Sequence, residues 1–269
     1  MEAAAPLTSS RKLQGKVAII TGGASGIGEA AARLFVAHGA SVVIADVQDV
    51  KGADLASSLG VHVAAYMHCD VSSESDVKNL ITFTIQTWGK LDIMFNNAGV
   101  WGKVVAQDVR DMDTEDFNHV MSTNVRGMAL GIKHASKAMV ESKIKGSIVC
   151  TASISSILGD LELPLAYTVS KHAILGLVRA TASQLRPYGI RVNCVSPGAV
   201  HTPLLSSYIH ELSSGTYSSQ QKTQTSQYEV LAPSDIAKVV CFLASDDSKS
   251  MNGTNVVIDE GYSPMRMAM

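Results

Sequence analysis

The amino-acid sequence predicts an α/β fold: one domain built on a doubly wound, parallel, seven-stranded sheet with helices on both faces. Three observations predict it. Short runs that are apolar on both faces alternate with helix-period stretches from Leu13 to about Asp259, a glycine-rich turn stands directly after the first run, and an acid closes the second.

Val17 to Thr21 is a short apolar run of buried-strand type, and glycines follow it at once. A helix is expected from Gly26 to about His38, with Ala30, Ala31, Leu34 and Phe35 on its inner side. Val42 to Ala45 is the second strand, and His62 to Cys69, with Val63, Ala65 and Met67 alternating, is the third. Helical stretches near Asp49 to Leu59 and Glu74 to Trp88 separate these from the fourth strand, Leu91 to Phe95. Gly146 to Thr151 is the fifth and Ile190 to Val195 the sixth, with long helices from about Thr114 to Glu141 and Ala166 to Leu185 between them. A last strand covers Asn255 to Ile258.

No linker, charge block or repeat divides the 269 residues, so residues 13–262 are read as a single domain. Residues 1–12 are expected to be a flexible N-terminal segment and 263–269 a C-terminal tail. Charged residues make up 17% and the hydrophobic set 46%, which suits a large core and a subunit interface. A net charge of -2 without a basic cluster argues against a nucleic-acid partner. No stretch has the roughly 20 uncharged apolar residues that span a bilayer, so no membrane association is expected. Cys69, Cys150, Cys194 and Cys241 lack CxxC spacing and read as buried thiols in a reducing compartment, the cytoplasm. No His or carboxylate pair has metal-ligand spacing, so no metal is expected.

Thr21-Gly22-Gly23-Ala24-Ser25-Gly26-Ile27-Gly28 joins the first strand to the first helix. Glycines there permit a tight turn and close approach of a pyrophosphate, whose charge the free N–H groups of the helix start can meet. Asp46 closes the second strand about 20 residues on, where a carboxylate accepts from ribose hydroxyls and repels a 2'-phosphate. Its alternative role is a cap for the next helix. No Arg or Lys lies in the glycine turn or directly after Asp46, where Ala24, Ser25 and Val47 stand, so NAD is favoured over NADP.

Tyr167 and Lys171, four residues apart on a helix, put a phenol and an ammonium one turn apart on one face. A cation beside a phenol favours the phenolate, so the pair is expected to act as an acid-base group nearer neutral pH than a free tyrosine.

Thr21 to Gly28, Asn96-Asn97-Ala98-Gly99 after the fourth strand, Tyr167-x-x-x-Lys171 and Pro197-Gly198 after the sixth resemble, in order and over nearly the whole chain, the short-chain dehydrogenase/reductase family with its Rossmann-like fold. Thr151 to Ser156, Ser170 to Leu177 and Ser196 to Thr202 resemble the plant secondary-metabolism branch that includes lignan, xanthoxin and monoterpenol dehydrogenases. The resemblance implies Tyr167 as acid-base, Lys171 as its partner and a ligand of the nicotinamide ribose, and Ser153 as hydrogen-bond partner of the substrate oxygen. It implies Asn124 in a water-linked proton relay, with Ser155 the alternative to Ser153. For the cofactor it implies Gly22, Ser25, Gly26, Ile27 and Gly28 in the turn, Asp46 and Val47 at the ribose, and Asp70 and Val71 at the adenine. Asn97, Ala98 and Gly99 would back it, with Pro197 and Val200 nearby and Thr202 at the carboxamide. The family's usual Asp-Gly-Gly after the last strand is replaced by Asp259-Glu260-Gly261, so the turn there is expected to differ. Relatives assemble as tetramers through the two long helices and the last strand, and a homotetramer is expected here.

Residues 200–229 turn polar and read as a lid over the substrate, with Tyr208, Tyr217 and Tyr228 among them. Val100, Trp101, Ile154, Leu158, Leu161, Leu163, Leu204 and Leu205 are the expected walls, apolar and without an arginine for a carboxylate or phosphate. The expected activity is NAD-dependent oxidation of a hydrophobic, cyclic, terpenoid-like secondary alcohol to the ketone, or of a lactol to the lactone. Three alternatives share the fold: an NADPH-dependent ketone reductase, a lignan or steroid dehydrogenase, and an NAD-binding non-redox terpenoid cyclase or isomerase.

Overall fold

A computed structural model describes residues 11–103, 108–159, 163–214 and 230–263. The seven strands are β1 (Val17–Thr21), β2 (Ser41–Asp46), β3 (Ala64–His68), β4 (Ile93–Asn96), β5 (Ser147–Thr151), β6 (Arg191–Pro197) and β7 (Asn255–Ile258). All pair in parallel, in the order β3-β2-β1-β4-β5-β6-β7. The order reverses between β1 and β4, and such a reversal opens a crevice beyond the carboxyl ends of the strands.

Alternation along the strands feeds two cores. Ile19, Met94, Ile148 and Val192 face one hydrophobic layer, while Ala18, Ile20, Val149 and Val195 face the other. The first layer is closed by α3 (Glu74–Trp88), α5 (Gly127–Glu141) and α6 (Leu165–Leu185), the second by α1 (Gly26–Ala37) and α2 (Asp49–Leu59). A further helix, α8 (Pro233–Ala244), packs on α1 and completes that second layer. Sequence reading assigned no element there, although Ile236, Ala237, Val240, Cys241, Leu243 and Ala244 form a buried helical stripe behind a Pro at the helix start. All four cysteines are buried and free.

The long helix expected from Thr114 to Glu141 is not uniform. It runs as α4 (Thr114–Met121), a π-helical turn at Ser122–Arg126, and α5. The wider turn sets Asn124 into the interior, where it is fully buried. The polar stretch read as a lid is helical over α7 (Pro203–Ser214), whose start Thr202 caps by accepting from the Leu205 N–H at 3.2 Å. Tyr217 and Tyr228 lie outside the described residues, as does Leu161 among the expected pocket walls.

At the ends, the Lys12 ammonium bonds the Asp247 carboxylate at 2.6 Å, and Ser263, counted with the tail, is buried with its N–H on Asp259 Oδ2 at 2.7 Å. Asp259 also accepts from Gly261, and Glu260 takes a left-handed φ of 51°, so the substituted turn is stitched by the aspartate. Among the described residues no helix is long and apolar enough to cross a membrane.

Candidate active site

The glycine turn is shaped by close approach. Gly22 has φ 60° and any Cβ there would come within 2.9 Å of Ala98 Cα, while a Cβ on Gly28 would meet the Gly22 carbonyl at 2.1 Å. Gly26, at φ 53°, faces Thr202 equally closely. Ser25, at the start of α1, makes no side-chain cap, which leaves the first amides of the helix free to meet an anion. The residues present therefore fit a dinucleotide: a backbone cradle, open helix N–H groups and a carboxylate beyond them.

That carboxylate, Asp46, is buried at the end of β2. Its Oδ2 accepts from the Ala24 N–H at 3.0 Å and its Oδ1 from the Gln48 N–H at 3.0 Å. One side chain thus braces the glycine turn and the entry to α2, but it does not cap that helix, whose N-cap residue is Gln48 with no side-chain cap bond. The loop after β4 is held just as firmly. Thr21 Oγ1 accepts from the Asn97 and Ala98 N–H groups, the Asn97 amide donates to the Thr21 and Gly22 carbonyls, and Thr151 Oγ1 donates to Asn97 Oδ1 at 3.1 Å. The carboxyl ends of β1, β4 and β5 are locked together by these bonds.

Tyr167 and Lys171 lie on α6 and both are buried. The Lys171 ammonium donates to the Thr151 carbonyl at 2.9 Å and sits 5.4 Å from the centre of the Tyr167 ring. Burial pushes the phenol up to about 12, and a hydrogen bond with the Ser153 side chain offsets part of that. Burial also pulls the lysine down to about 8. In the protein alone the cation therefore does not lower the phenol as expected. The ammonium is aimed at a backbone carbonyl, and loss of water outweighs it.

The phenol's partner is Ser153, whose own Oγ caps the short 3-10 turn Ile154–Ser156 by accepting from the Ser155 N–H at 3.2 Å. Ser155 is almost fully buried and receives a bond from the Ser153 hydroxyl at 3.2 Å. Asn124 lies behind the cleft. Its Oδ1 accepts from the Val100 N–H at 2.8 Å, and its Nδ2 donates to the Val100 carbonyl at 2.9 Å and to Ser170 Oγ at 3.0 Å. The asparagine side chain thus clamps the loop after β4 to α6.

Together these elements enclose a cleft of about 550 Å³ that runs from Asp46, Asp70 and Val71 past Gly22, Ser25, Gly26 and Ile27 to Ser153, Tyr167 and Lys171. Val47, Asn97, Ala98, Gly99, Pro197, Val200 and Thr202 line it too, as do Val100, Trp101, Ile154, Leu158, Leu163, Leu204 and Leu205. Gly28 and Asn124 do not: one shapes the turn and the other supports the wall. Among the described lining residues Lys171 is the sole cation, and no cluster of described residues has the makings of a metal site. Sequence reading missed Gln48, Cys69, Thr151 and Ile209 as lining residues. Thr151 was legible as the last residue of a strand that runs into the serine, but Ile209 became visible only once α7 folded across the cleft.

A sequence profile described as enoyl-(acyl carrier protein) reductase matches residues 22–263. The chain belongs to the short-chain dehydrogenase/reductase family. It is 45% identical to zerumbone synthase of Zingiber zerumbet over 94% of this chain and 96% of that one. It is 43% identical to (+)-borneol dehydrogenase 2 of Salvia officinalis, over 98% and 95%. Among solved structures, that of levodione reductase superposes with a TM-score of 0.85 at 32% identity, covering 94% of this chain and 99% of that chain. As a family member the protein is an oxidoreductase that uses a nicotinamide cofactor.

Proposed function

We propose that this short-chain dehydrogenase/reductase is an NAD-dependent dehydrogenase that oxidises a hydrophobic, cyclic, terpenoid-like secondary alcohol to its ketone. The observation that carries the reading is the Tyr167 phenol, hydrogen-bonded with Ser153 and flanked by Lys171, at the apolar end of a cleft whose other end is the glycine turn and Asp46. The bound nicotinamide supplies the hydride acceptor. Tyr167 takes the hydroxyl proton, Ser153 holds the substrate oxygen, and Lys171 stabilises the phenolate as it forms. Asn124 keeps Val100, and with it the adjoining wall, in register with α6.

Asp46 supports NAD over NADP, since its buried charge opposes a 2'-phosphate. The apolar walls, with no arginine among the described lining residues, support a hydrocarbon-rich substrate, as do the names of two relatives, zerumbone synthase and borneol dehydrogenase. Four buried free thiols fit a cytoplasmic protein. Partly exposed Leu165 and Val169 on α6 and Val257 on β7 fit a homotetramer joined through those elements.

Formation of reduced nicotinamide, followed by absorbance with NAD and with NADP across a panel of cyclic terpenols, lignan diols and steroids, tests the reading. A cyclic terpenol with NAD is expected to react fastest. Conversion of substrate without reduced nicotinamide, or faster turnover with NADP, removes it.

A further inference from the structure

Trp101 follows the loop after β4, yet it touches both the candidate acid-base and α7. Its ring centre lies 4.0 Å from that of Tyr167 at 37°, and 5.0 Å from that of Tyr208 at 31°. Its indole N–H donates to the Leu204 carbonyl, in the first turn of α7, at 2.8 Å. Tyr208 is 3% exposed and packs with Trp101, Leu163 and Leu205 in a small cluster separate from the two main cores. The first turn of α7 is thus held at two points, by Thr202 on the cofactor side and by Trp101 on the opposite wall.

Resting on the role given to Tyr167, we propose that Trp101 is a positioning residue: its indole bridges the cleft to α7 and packs on the Tyr167 ring, so the phenol is held for proton transfer when α7 is docked. The physical case has two parts. Aromatic pairs at these separations contribute beyond simple area burial, and a half-buried N–H···O bond adds directionality that a hydrocarbon contact lacks. The indole also keeps water off the phenol ring, whose raised proton affinity comes from burial. Lys171 on α6 is the charged group beside that ring, with the Cys150 thiol of β5 next to the lysine and uncharged Ser153 at the hydroxyl.

Two variants separate the contributions. Trp101→Phe keeps a ring on Tyr167 and deletes the N–H bond; Trp101→Ala deletes both. In hydrogen exchange of the α7 amides, Trp101→Phe is expected to exchange about fivefold faster than the wild type, the equivalent of one lost hydrogen bond, and Trp101→Ala faster still, since it also loses the ring contact with Tyr208. With a cyclic alcohol and NAD, Trp101→Ala is expected to lower kcat by about tenfold or more while KM for NAD stays within about twofold, since positioning of a proton-transfer group acts on the chemical step. Its pH profile of kcat is expected to move to lower pH as water reaches the phenol. Exchange in α7 unchanged in both variants, or kcat and pH profile unchanged in Trp101→Ala, overturns the proposal. A wild-type enzyme that reduces no NAD with any alcohol defeats the proposed function instead, and the exchange experiment still reads the bridge.

Discussion

Lys171 donates to the Thr151 carbonyl at 2.9 Å, and the hydroxyl of the same threonine holds Asn97. The lysine on α6 is therefore tied to the end of β5 and, through it, to the loop after β4. Its position is set by three elements distant in sequence.

That buried cation costs stability. Burial lowers its proton affinity from 10.5 to about 8, so the unfolded chain holds the proton more tightly than the folded one. Stability from this group therefore rises as pH climbs from about 8 to 10.5, and below about 8 the folded state bears the full cost. Lys171→Met is expected to stabilise the cofactor-free protein by about 2 kcal/mol near neutral pH, after about 1 kcal/mol is deducted for the lost bond to Thr151. Urea denaturation at neutral pH and above 10 checks this, and the gain should vanish at the higher pH. The same variant should lose both turnover and NAD affinity.

Tyr167→Phe is expected to lower kcat by about a thousandfold, within the span of general acid-base catalysis, and to leave NAD binding within about twofold. Single-turnover kinetics and nucleotide titration measure the two effects. A rate near that of the wild type takes the tyrosine out of its assigned role.

Asp46→Asn keeps an acceptor for one of the Ala24 and Gln48 N–H groups, since its amide nitrogen can only donate, and removes the charge. The ratio of kcat/KM for NAD to that for NADP should fall by about tenfold or more, because the substitution removes repulsion of the 2'-phosphate. An unchanged ratio means that selection lies elsewhere in the cleft.

Arg191, at the start of β6, donates to the Leu243 and Ser245 carbonyls at 2.9 and 3.1 Å and to Ser248 Oγ at 3.0 Å. It caps the carboxyl end of α8, adding a charged donor to carbonyls that also accept from the Ser147 and Ser248 hydroxyls. Arg191→Met is expected to cost about 3 kcal/mol in denaturant unfolding, since several acceptors lose a charged donor.

Gly131 sits inside α5, where alanine would ordinarily stabilise a helix by about 1 kcal/mol. A Cβ there would lie 2.0 Å from Asn96 Oδ1. Gly131→Ala is therefore expected to destabilise by about 2 kcal/mol and to displace the end of β4, read as a lower melting temperature.

The strand and helix alternation, the glycine turn, Asp46 and the Tyr167/Lys171 spacing are local patterns, so the sequence by itself determined the fold class, the family and the place of the cleft. Period 2 and period 3.6 are properties of neighbouring residues, and a glycine that must stand at φ 60° announces itself wherever it falls. Tertiary structure decided what depends on distant partners. The π-helical turn that buries Asn124, the docking of α7 through Trp101, and the α8 end beneath Arg191 join residues from 24 to 103 positions apart. It also decided the proton affinities of Tyr167 and Lys171. Spacing shows that the phenol and ammonium share a helix face, but the water removed from around them is set by packing from the whole sheet, and here desolvation outweighs their proximity.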